Sequence, residues 1–409
     1  MPGGVDPHVH LAMNAGALRT SDDFLSGSLA ALRGGTTALV DFVEAEDDES
    51  LVSALEKRQA ETASSCIPVR LHMTISTWQD AGIAGAAGVA PGSARVSNGT
   101  AAEMRACVER GVKSFKIYLA YLDTIGIGDT TMRKVLATAH ELGAKVLVHA
   151  EDGEEIQARQ ADLVARGMLA PHYHALSRPP ACEARAIAKI TAMVEEIGGP
   201  QVAIAHVSSE SAMQEIIKAK QKGIPVFAET CPQYLAFTAD KYEAAPEEAA
   251  PYVISPPLRQ KSDVEFLWRC IADGSIDFVS TDHCPFTLQA KTENADNFMH
   301  IPNGAGGIAE RMAFMLSEGY KRRNIPLERI INLTSCNAAN FYGLPATTGQ
   351  EVFSVWDTNA RYAYTSSMGA SACDHSIWEG MEFLAMPVKV ILSGKLVAEN
   401  WILTTGDKT

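Results

Sequence analysis

The sequence predicts a (β/α)8 barrel of the TIM-like class, followed by a small C-terminal β domain. Three observations carry this prediction: eight short β-rich runs, helical stretches between them, and runs that are apolar throughout, as parallel strands buried on both faces are. A doubly wound sheet is the rival fold, but no GxGxxG follows the first run. The eight runs lie at residues 4–8, 37–43, 69–76, 113–119, 145–149, 202–206, 225–229 and 276–281.

Helical periodicity fills the connections, and the pattern changes near the end of the chain. Amphipathic stretches are predicted at 50–62, 132–142, 183–197, 211–222 and 263–273. After Asn340, short strands with Gly and Asn turns are predicted at 351–357, 360–364 and 388–393. We therefore expect a barrel over 1–344 and part of a separate small β domain over 345–409.

Composition excludes several classes of protein. The 409 residues carry 35 basic and 49 acidic side chains, a net charge of −14 that disfavours nucleic-acid binding. With 46% hydrophobic and 21% charged residues the chain is not disordered, and no apolar run of about 18 residues predicts a membrane span. Eight scattered cysteines without a CxxC pair predict a reduced, cytoplasmic protein.

Histidines and one aspartate follow four of the predicted strands. His8 and His10 point the same way in an extended segment and are able to chelate one metal, although two ordinary strand-end histidines would look the same. His149 and His206 each end an apolar run, where a satisfied core histidine is the ordinary explanation. Asp282 follows the eighth run and is either a ligand or a capping residue.

Lys116 lies in the middle of the fourth run, on the face opposite Phe115 and Ile117. In a strand buried on both faces this lysine is buried, which is costly for an unpaired ammonium and lowers its pKa. A neutral amine adds carbon dioxide to give a carbamate, an anionic oxygen ligand. The alternative is an edge lysine whose amine reaches solvent.

Taken together, these side chains favour a two-metal site. Four His, one Lys and one Asp lie at the ends of strands 1, 4, 5, 6 and 8, where barrels of this kind carry their active sites. Imidazoles, a carboxylate and a bridging carbamate suit two divalent ions such as Zn²⁺, with Mn²⁺ or Co²⁺ also compatible. Such a pair of ions activates water for hydrolysis of amides or esters.

The chain resembles the amidohydrolase superfamily, through Asp6-x-His8-x-His10 and the other ligand positions. Longer stretches resemble the dihydropyrimidinase/hydantoinase family of cyclic amidohydrolases from about Gly3 to Leu344, and the tail matches it more weakly. These stretches are Gly34-Gly-Thr-Thr37, Gly111-Val-Lys-Ser-Phe-Lys116, Glu229-Thr-Cys-Pro-Gln-Tyr234, Ser255-Pro-Pro-Leu-Arg259, Thr281-Asp-His-Cys-Pro-Phe286 and Ile301-Pro-Asn-Gly304.

The resemblance implies a role for each site residue. The more buried metal would be held by His8, His10 and Asp282, the other by His149 and His206, and carbamylated Lys116 would bridge both. Asp282 would also move the proton from water to the leaving nitrogen. Tyr121 would stabilise the oxyanion, and the backbones of Ser255 and Asn303 would bind the ring.

The implied reaction is hydrolytic opening of a 5,6-dihydropyrimidine or a 5-substituted hydantoin to an N-carbamoyl amino acid, as in pyrimidine catabolism. Dihydroorotase is a rival, but Leu11 and Ala12 stand where that enzyme usually has a carboxylate-binding arginine. Allantoinase, and a non-catalytic scaffold homologue that has lost its ligands, are further alternatives. Family members commonly form homotetramers, so the resemblance implies self-association.

The resemblance is incomplete at one end. Relatives begin with about 50 residues that supply half of the small β-sandwich, so we expect the N-terminal half of that sandwich to be absent here. The sequence leaves open whether this is a truncation, what the oligomeric state is, which ring is preferred, whether D or L hydantoins are taken, and which metal is bound.

Overall fold

The barrel strands form one eight-stranded parallel sheet in chain order. The computed structural model describes residues 1–83, 96–97, 99–344 and 351–404. All eight predicted strands are present and each pairs with its neighbour in sequence, which confirms the (β/α)8 barrel. The strands are β1 Gly4–Asp6, β2 Thr36–Val43, β3 Val69–Thr74, β4 Ser114–Tyr118, β5 Lys145–His149, β6 Val202–Ile204, β7 Val226–Thr230 and β8 Phe278–Val279.

Hydrogen bonds just beyond β1 and β8 join the first and last strands. The backbone N–H and the hydroxyl of Thr281 donate to the two oxygens of Asp6, at 3.0 and 2.6 Å. The backbone N–H of His10 donates to the carbonyl of His283 at 2.8 Å. Asp6, the first residue of the Asp6-x-His8-x-His10 motif, therefore holds the barrel closed directly beside the two histidines.

The apolar residues divide into two layers. In β4, Phe115 and Ile117 belong to the large core between strands and helices, while Lys116 lies on the opposite face, as alternation predicts. A smaller cluster fills the barrel interior and reaches the site through Phe42, whose ring packs on His8 and His10. Its members are Val5, Ala38, Val40, Phe42, Leu147, Ala203, Ala205, Phe278, Ala338, Ala339, Tyr342 and Leu344.

Helices follow the strands, and many begin at a side-chain cap. Ser50, Asp152 and Ser209 each accept a backbone N–H three residues later, which satisfies an orphan donor of the first turn. The longer helices are α1 Phe24–Arg33, α2 Leu51–Thr62, α3 Thr100–Glu109, α4 Asp129–Glu141, α5 Gly153–Ala165, α6 His172–Ser177, α7 Pro180–Ile197, α8 Glu210–Gln221 and α9 Lys261–Asp273.

Shorter helical segments complete the barrel. Two of these segments, Met315–Arg322 and Asn332–Cys336, are π-helical. The remaining α-helical and 3-10 segments are Pro232–Ala236, Ala239–Glu243, Pro246–Ala249, Ala250–Tyr252, Leu288–Thr292, Arg311–Phe314, Leu327–Ile331, Asn337–Tyr342 and Ser366–Gly369. Within the described ranges, no helix combines the length and apolar character that crossing a membrane requires.

The C-terminal region contains a four-stranded antiparallel sheet in chain order: β9 Phe353–Asp357, β10 Met386–Leu392, β11 Lys395–Glu399 and β12 Ile402–Leu403. The strand predicted at 360–364 is shorter than expected, and only Tyr362–Ala363 is extended. It pairs with Glu382–Phe383 outside this sheet. The predicted tail residues 345–350 and 405–409 lie outside the described residues.

Two contacts join the C-terminal sheet to the start of the chain. Ser354 in β9 exchanges backbone hydrogen bonds with Met1, at 2.9 and 2.8 Å. Trp356 packs so closely on Gly35 that a Cβ there would lie 2.6 Å from the indole. Gly35 also has a φ of 82°, so both conformation and space require glycine at this contact.

The remaining extended segments are short. Asn14–Ala15 pairs with Leu18–Arg19 in a hairpin directly after the HxH motif. Gly82–Ile83 pairs with Val96–Ser97 after β3. The first of these hairpins borders the site described next.

Candidate metal centre and active site

One cavity at the carboxyl ends of the strands contains every predicted site residue. Its volume is about 630 Å³, a size suited to a small-molecule substrate. The structure brings all nine of these residues together in this one cavity. They are His8, His10, Lys116, Tyr121, His149, His206, Ser255, Asp282 and Asn303.

His8, His10 and Asp282 form a compact set of potential ligand atoms. The Nε2 atoms of both histidines lie 3.1 Å from Oδ1 of Asp282. One ligand atom from each of the three residues lies within 4.8 Å of the other two. Burial alone would raise the pKa of Asp282, but the surrounding imidazoles hold it well below its usual range, so this carboxylate is charged.

His149 and His206 lie beside this set. Their ring centroids are 4.5 Å apart, and the His206 ring is 5.5 Å from the His8 ring. Burial lowers the pKa of His8, His149 and His206, which favours neutral imidazoles at neutral pH. Neutral imidazole is the form that binds metal ions.

Lys116 projects among these groups without a hydrogen-bond partner. Its side chain is fully buried, and Nζ contacts the faces of Tyr118 and Phe42, 4.7 and 5.3 Å from the ring centroids. Burial lowers its pKa to about 8. The buried Lys116 amine therefore has no hydrogen bond to offset the cost of its burial.

Three site residues adopt a left-handed backbone conformation that is unfavourable for residues with a Cβ. The φ angles are 60° at Tyr121, 38° at His206 and 52° at Asp282. Each residue follows the end of a barrel strand, where the turn directs its side chain into the cavity. Such strain concentrates at functional sites, and nothing in residue type predicted it here.

Two loop segments form one side of the cavity, here called the ring wall and defined as residues 253–255 and 302–304. Ser255 donates from its hydroxyl to Oδ1 of Asn303 at 3.2 Å. The buried ammonium of Lys291 holds both segments, because it donates to the carbonyls of Val253, Pro302 and Gly304 at 2.8, 2.7 and 3.0 Å. No motif in the sequence indicates this role for Lys291.

Sequence reasoning also missed the residues that orient the histidines. His8 Nδ1 donates to Glu229, 2.7 Å away, and His149 Nε2 donates to Glu151, also at 2.7 Å. Arg178 contacts Glu151 at 2.5 Å and stacks 5.0 Å over the Tyr121 ring. Two features of the sequence indicate such partners. One is a carboxylate two residues after His149, and the other is Glu229 at the end of a buried strand.

Both carboxylates leave one nitrogen of their histidine facing the cavity. This is the arrangement by which metal ligands are oriented in proteins, with a carboxylate fixing the ring and its tautomer. Burial raises the pKa of Glu229 to about 7. At Glu151, burial acts in the same direction, but Arg178 and His149 outweigh it and the pKa lies below its usual range.

Comparison with known proteins assigns this architecture. The model of the amidohydrolase family matches residues 1–397. The chain belongs to the amidohydrolase family. Its relatives within that family are hydantoinases and dihydropyrimidinases, so the resemblance identified from the sequence motifs is confirmed.

Two relatives and one solved amidohydrolase structure illustrate the match. A D-hydantoinase from Geobacillus stearothermophilus is 33% identical over 408 residues, 98% of this chain and 83% of the relative. A D-phenylhydantoinase from Escherichia coli O1:K1 / APEC is 32% identical over 407 residues, 97% of this chain and 83% of the relative. The crystal structure of dihydropyrimidinase from Brevibacillus agri NCHU1002 matches with a TM-score of 0.90 and 32% identity, covering 98% and 85% of the two chains.

Proposed function

We propose that this amidohydrolase opens a cyclic diamide, a 5,6-dihydropyrimidine or a 5-substituted hydantoin, by hydrolysis to an N-carbamoyl amino acid. The observation that carries the proposal is the single cavity that unites six ligand-type residues with Tyr121, Ser255 and Asn303. Relatives named for hydantoin and dihydropyrimidine hydrolysis support the substrate class.

The donor set fits two divalent cations, with Zn²⁺ proposed. His8, His10 and Asp282 would hold one, and His149 and His206 the other. Lys116, as a carbamate, would bridge them: its nitrogen bonds to the carbon of carbon dioxide and loses one proton. The buried Nζ without a partner and the three clustered ligand atoms support this assignment. Bound cations of this kind polarise a carbonyl and lower the pKa of water.

The protein groups have separate tasks in ring opening. Asp282, held charged by the imidazoles around it, accepts a proton from the attacking water and returns it to the ring nitrogen as the carbon–nitrogen bond breaks. Burial raises the pKa of Tyr121, so it is a neutral phenol that donates to the oxygen on which negative charge develops. Backbone groups of Ser255 and Asn303 bind the ring edge.

The charges around the cavity favour a neutral ring over dihydroorotate. Within the described part of the cavity lining there is no arginine, and Lys116 is the single lysine. Glu44 also lines the cavity and would repel a substrate carboxylate. In the described cavity lining, the carboxylate of dihydroorotate would therefore have no arginine to bind it. A non-catalytic scaffold role does not explain six retained ligand positions.

A substrate panel tests the proposed function. The purified chain is reconstituted with Zn²⁺ and bicarbonate, its bound metal is measured, and dihydrouracil, 5-substituted hydantoins, allantoin and dihydroorotate are compared. We expect turnover of dihydrouracil or a hydantoin and little of dihydroorotate. A metal-loaded protein that opens no neutral ring, or that prefers dihydroorotate, contradicts the proposal.

Assembly, location and domain division stay predictions. We propose a barrel over 1–344, a C-terminal β region over 345–409, a homotetramer and a cytoplasmic location. Light scattering measures the assembly, and limited proteolysis between the two regions tests the division.

A further inference from the structure

A loop on the rim of the barrel carries a second group of metal-binding side chains. Cys373, Asp374 and His375 each offer one ligand atom, and the three atoms lie within 4.8 Å of one another. The loop is distinct from the proposed catalytic centre, whose residues follow the barrel strands. A bend at residues 372–374 brings the Cys373 and His375 side chains into contact.

The distances match those of a tetrahedral cation site. Cys373 Sγ lies 3.5 Å from His375 Nδ1, and that nitrogen lies 3.3 Å from Oδ1 of Asp374. A tetrahedral zinc ion with a sulfur ligand at about 2.3 Å and nitrogen and oxygen ligands at about 2.0 Å requires separations of about 3.5 and 3.3 Å. The loop therefore holds two of the three atom pairs at the spacing that coordination needs, and the third pair, the Cys373 sulfur and the Asp374 oxygen, lies within 4.8 Å.

The loop is preorganised by hydrogen bonds outside the three residues. Asp22 accepts from the hydroxyl of Ser371, and from the backbone N–H of Ala372 at 2.7 Å. On the other side, Ser376 donates to Glu310 at 3.1 Å. Oδ1 of Asp374 also accepts the backbone N–H of Leu288 at 2.7 Å, which orients the carboxylate. Ligands that are fixed before binding lose little entropy when a cation arrives.

The exposure of the three side chains provides an entry path. The Asp374 side chain is 56% exposed and the His375 side chain 17% exposed, while Cys373 is half-buried. A cation can enter from the Asp374 side with water as its fourth ligand. A nucleophilic Cys–His pair is disfavoured, because burial raises the pKa of the Cys373 thiol to about 11 and leaves it uncharged.

We propose that Cys373, Asp374 and His375 bind a thiophilic divalent cation such as Zn²⁺ at a site separate from the catalytic centre. Binding forms sulfur–metal, nitrogen–metal and oxygen–metal bonds and releases the thiol proton to solvent. The site is structural: Oδ1 of Asp374 accepts the backbone N–H of Leu288 at 2.7 Å, and Leu288 lies two residues after Phe286, which lines the catalytic cavity. The cation thereby fastens the C-terminal loop to the rim of the active site.

Cobalt spectroscopy tests this site without measuring activity. Co²⁺ alone is titrated into the metal-free full-length chain, and the near-ultraviolet thiolate-to-cobalt absorption is recorded. The proposed catalytic ligands are nitrogen and oxygen atoms, so this band reports thiolate coordination alone. We expect one cobalt–thiolate site per chain, displaced by Zn²⁺, and a rise in the melting temperature of the chain as it fills.

Matched variants assign the band to these residues. Cys373→Ser abolishes it, whereas Cys66→Ser, which removes the exposed cysteine, leaves it unchanged. Asp374→Asn retains an acceptor for the Leu288 N–H and weakens cobalt binding by more than about tenfold. Absence of the band in the wild-type chain, its persistence in a folded Cys373→Ser variant, or unaltered affinity in Asp374→Asn overturns the proposal, whatever the catalytic activity.

Discussion

Two fully buried lysines, Lys116 in the lining of the catalytic cavity and Lys291 against the ring wall, differ in their hydrogen bonds. Burial lowers the pKa of both amines, that of Lys116 to about 8 and that of Lys291 to about 7. Lys291 donates to three carbonyls, one for each N–H of an ammonium. Lys116 has no hydrogen-bond partner.

Under the proposed function, the difference separates a lysine whose hydrogen bonds the protein supplies from one that carbon dioxide would complete. A buried polar atom without a partner is costly, and the proposed carbamate would remove that cost at Lys116. Around Lys116 the unsatisfied atoms include His10 Nδ1, His206 Nδ1 and Glu229 Oε2. The amine of Lys291 makes all of its hydrogen bonds to carbonyls of the protein, and these bonds fix the ring wall.

The largest expected effect comes from removing the unsatisfied amine. Lys116→Ala takes away the proposed bridging ligand, so we expect loss of both metal ions and nearly all activity. Elemental analysis after reconstitution with Zn²⁺ and bicarbonate measures the metal content. A short-chain carboxylic acid supplied in solution should restore part of the activity, because its carboxylate takes the place of the carbamate.

Lys145→Ala is the matched control for this experiment. Lys145 begins β5 at the opposite end of the barrel, so its removal should leave metal content unchanged. A Lys116→Ala protein that keeps two metal ions per chain would show that the amine is not a bridging ligand.

The next effect concerns the phenol of Tyr121. Tyr121→Phe removes one donor to the developing oxyanion, and we expect kcat to fall by about 10²–10³ with metal content unchanged. Steady-state kinetics on the best neutral ring measures this. Tyr320→Phe is the control, since that side chain lies in the π-helical segment Met315–Arg322 and outside the cavity lining. Equal kcat in Tyr121→Phe and wild type would remove Tyr121 from the reaction.

The sequence predicted those parts of the molecule in which pattern and chemistry coincide. All eight barrel strands followed from apolar runs, and β5 coincides with its predicted limits of 145–149. The six ligand positions were predicted because parallel strands place their carboxyl ends together, whereas Tyr121, Ser255 and Asn303 came from the family resemblance, and the structure places all nine in one cavity. A helix such as α1 was missed, since Gly27 interrupts its pattern where a Cβ would lie 2.4 Å from Leu11.

The supporting residues could not be predicted because their partners are distant in sequence. Arg178 reaches Glu151 across 27 positions, and Glu229 reaches His8 across 221. Arg178 carries no pattern of its own, and although Glu229 lies at the end of a buried strand, only the closed barrel shows that it contacts His8. Lys291 is the clearest case, since its three acceptors are backbone carbonyls that no sequence motif records.

The smallest expected effect comes from the satisfied lysine, and it sharpens the comparison. Lys291→Met preserves the length of the side chain but leaves three buried carbonyls without a donor, so the segments that carry Ser255 and Asn303 lose their common anchor. If those segments bind the ring edge, KM rises by about tenfold, the effect of losing roughly 1.4 kcal/mol of binding, while kcat and metal content change little.

Two further variants separate positioning from stability. Lys291→Arg retains a cation with several N–H donors and should restore part of the lost affinity. Lys220→Met removes an amine that donates to the Ser275 carbonyl at 2.7 Å, far from the ring wall, so it should lower the melting temperature without raising KM. If Lys291→Met and Lys220→Met changed KM equally, the effect would be one of general stability. If Lys291→Met instead lost its metal ions, Lys116 and Lys291 would belong to one network, and the contrast between these two lysines would fail.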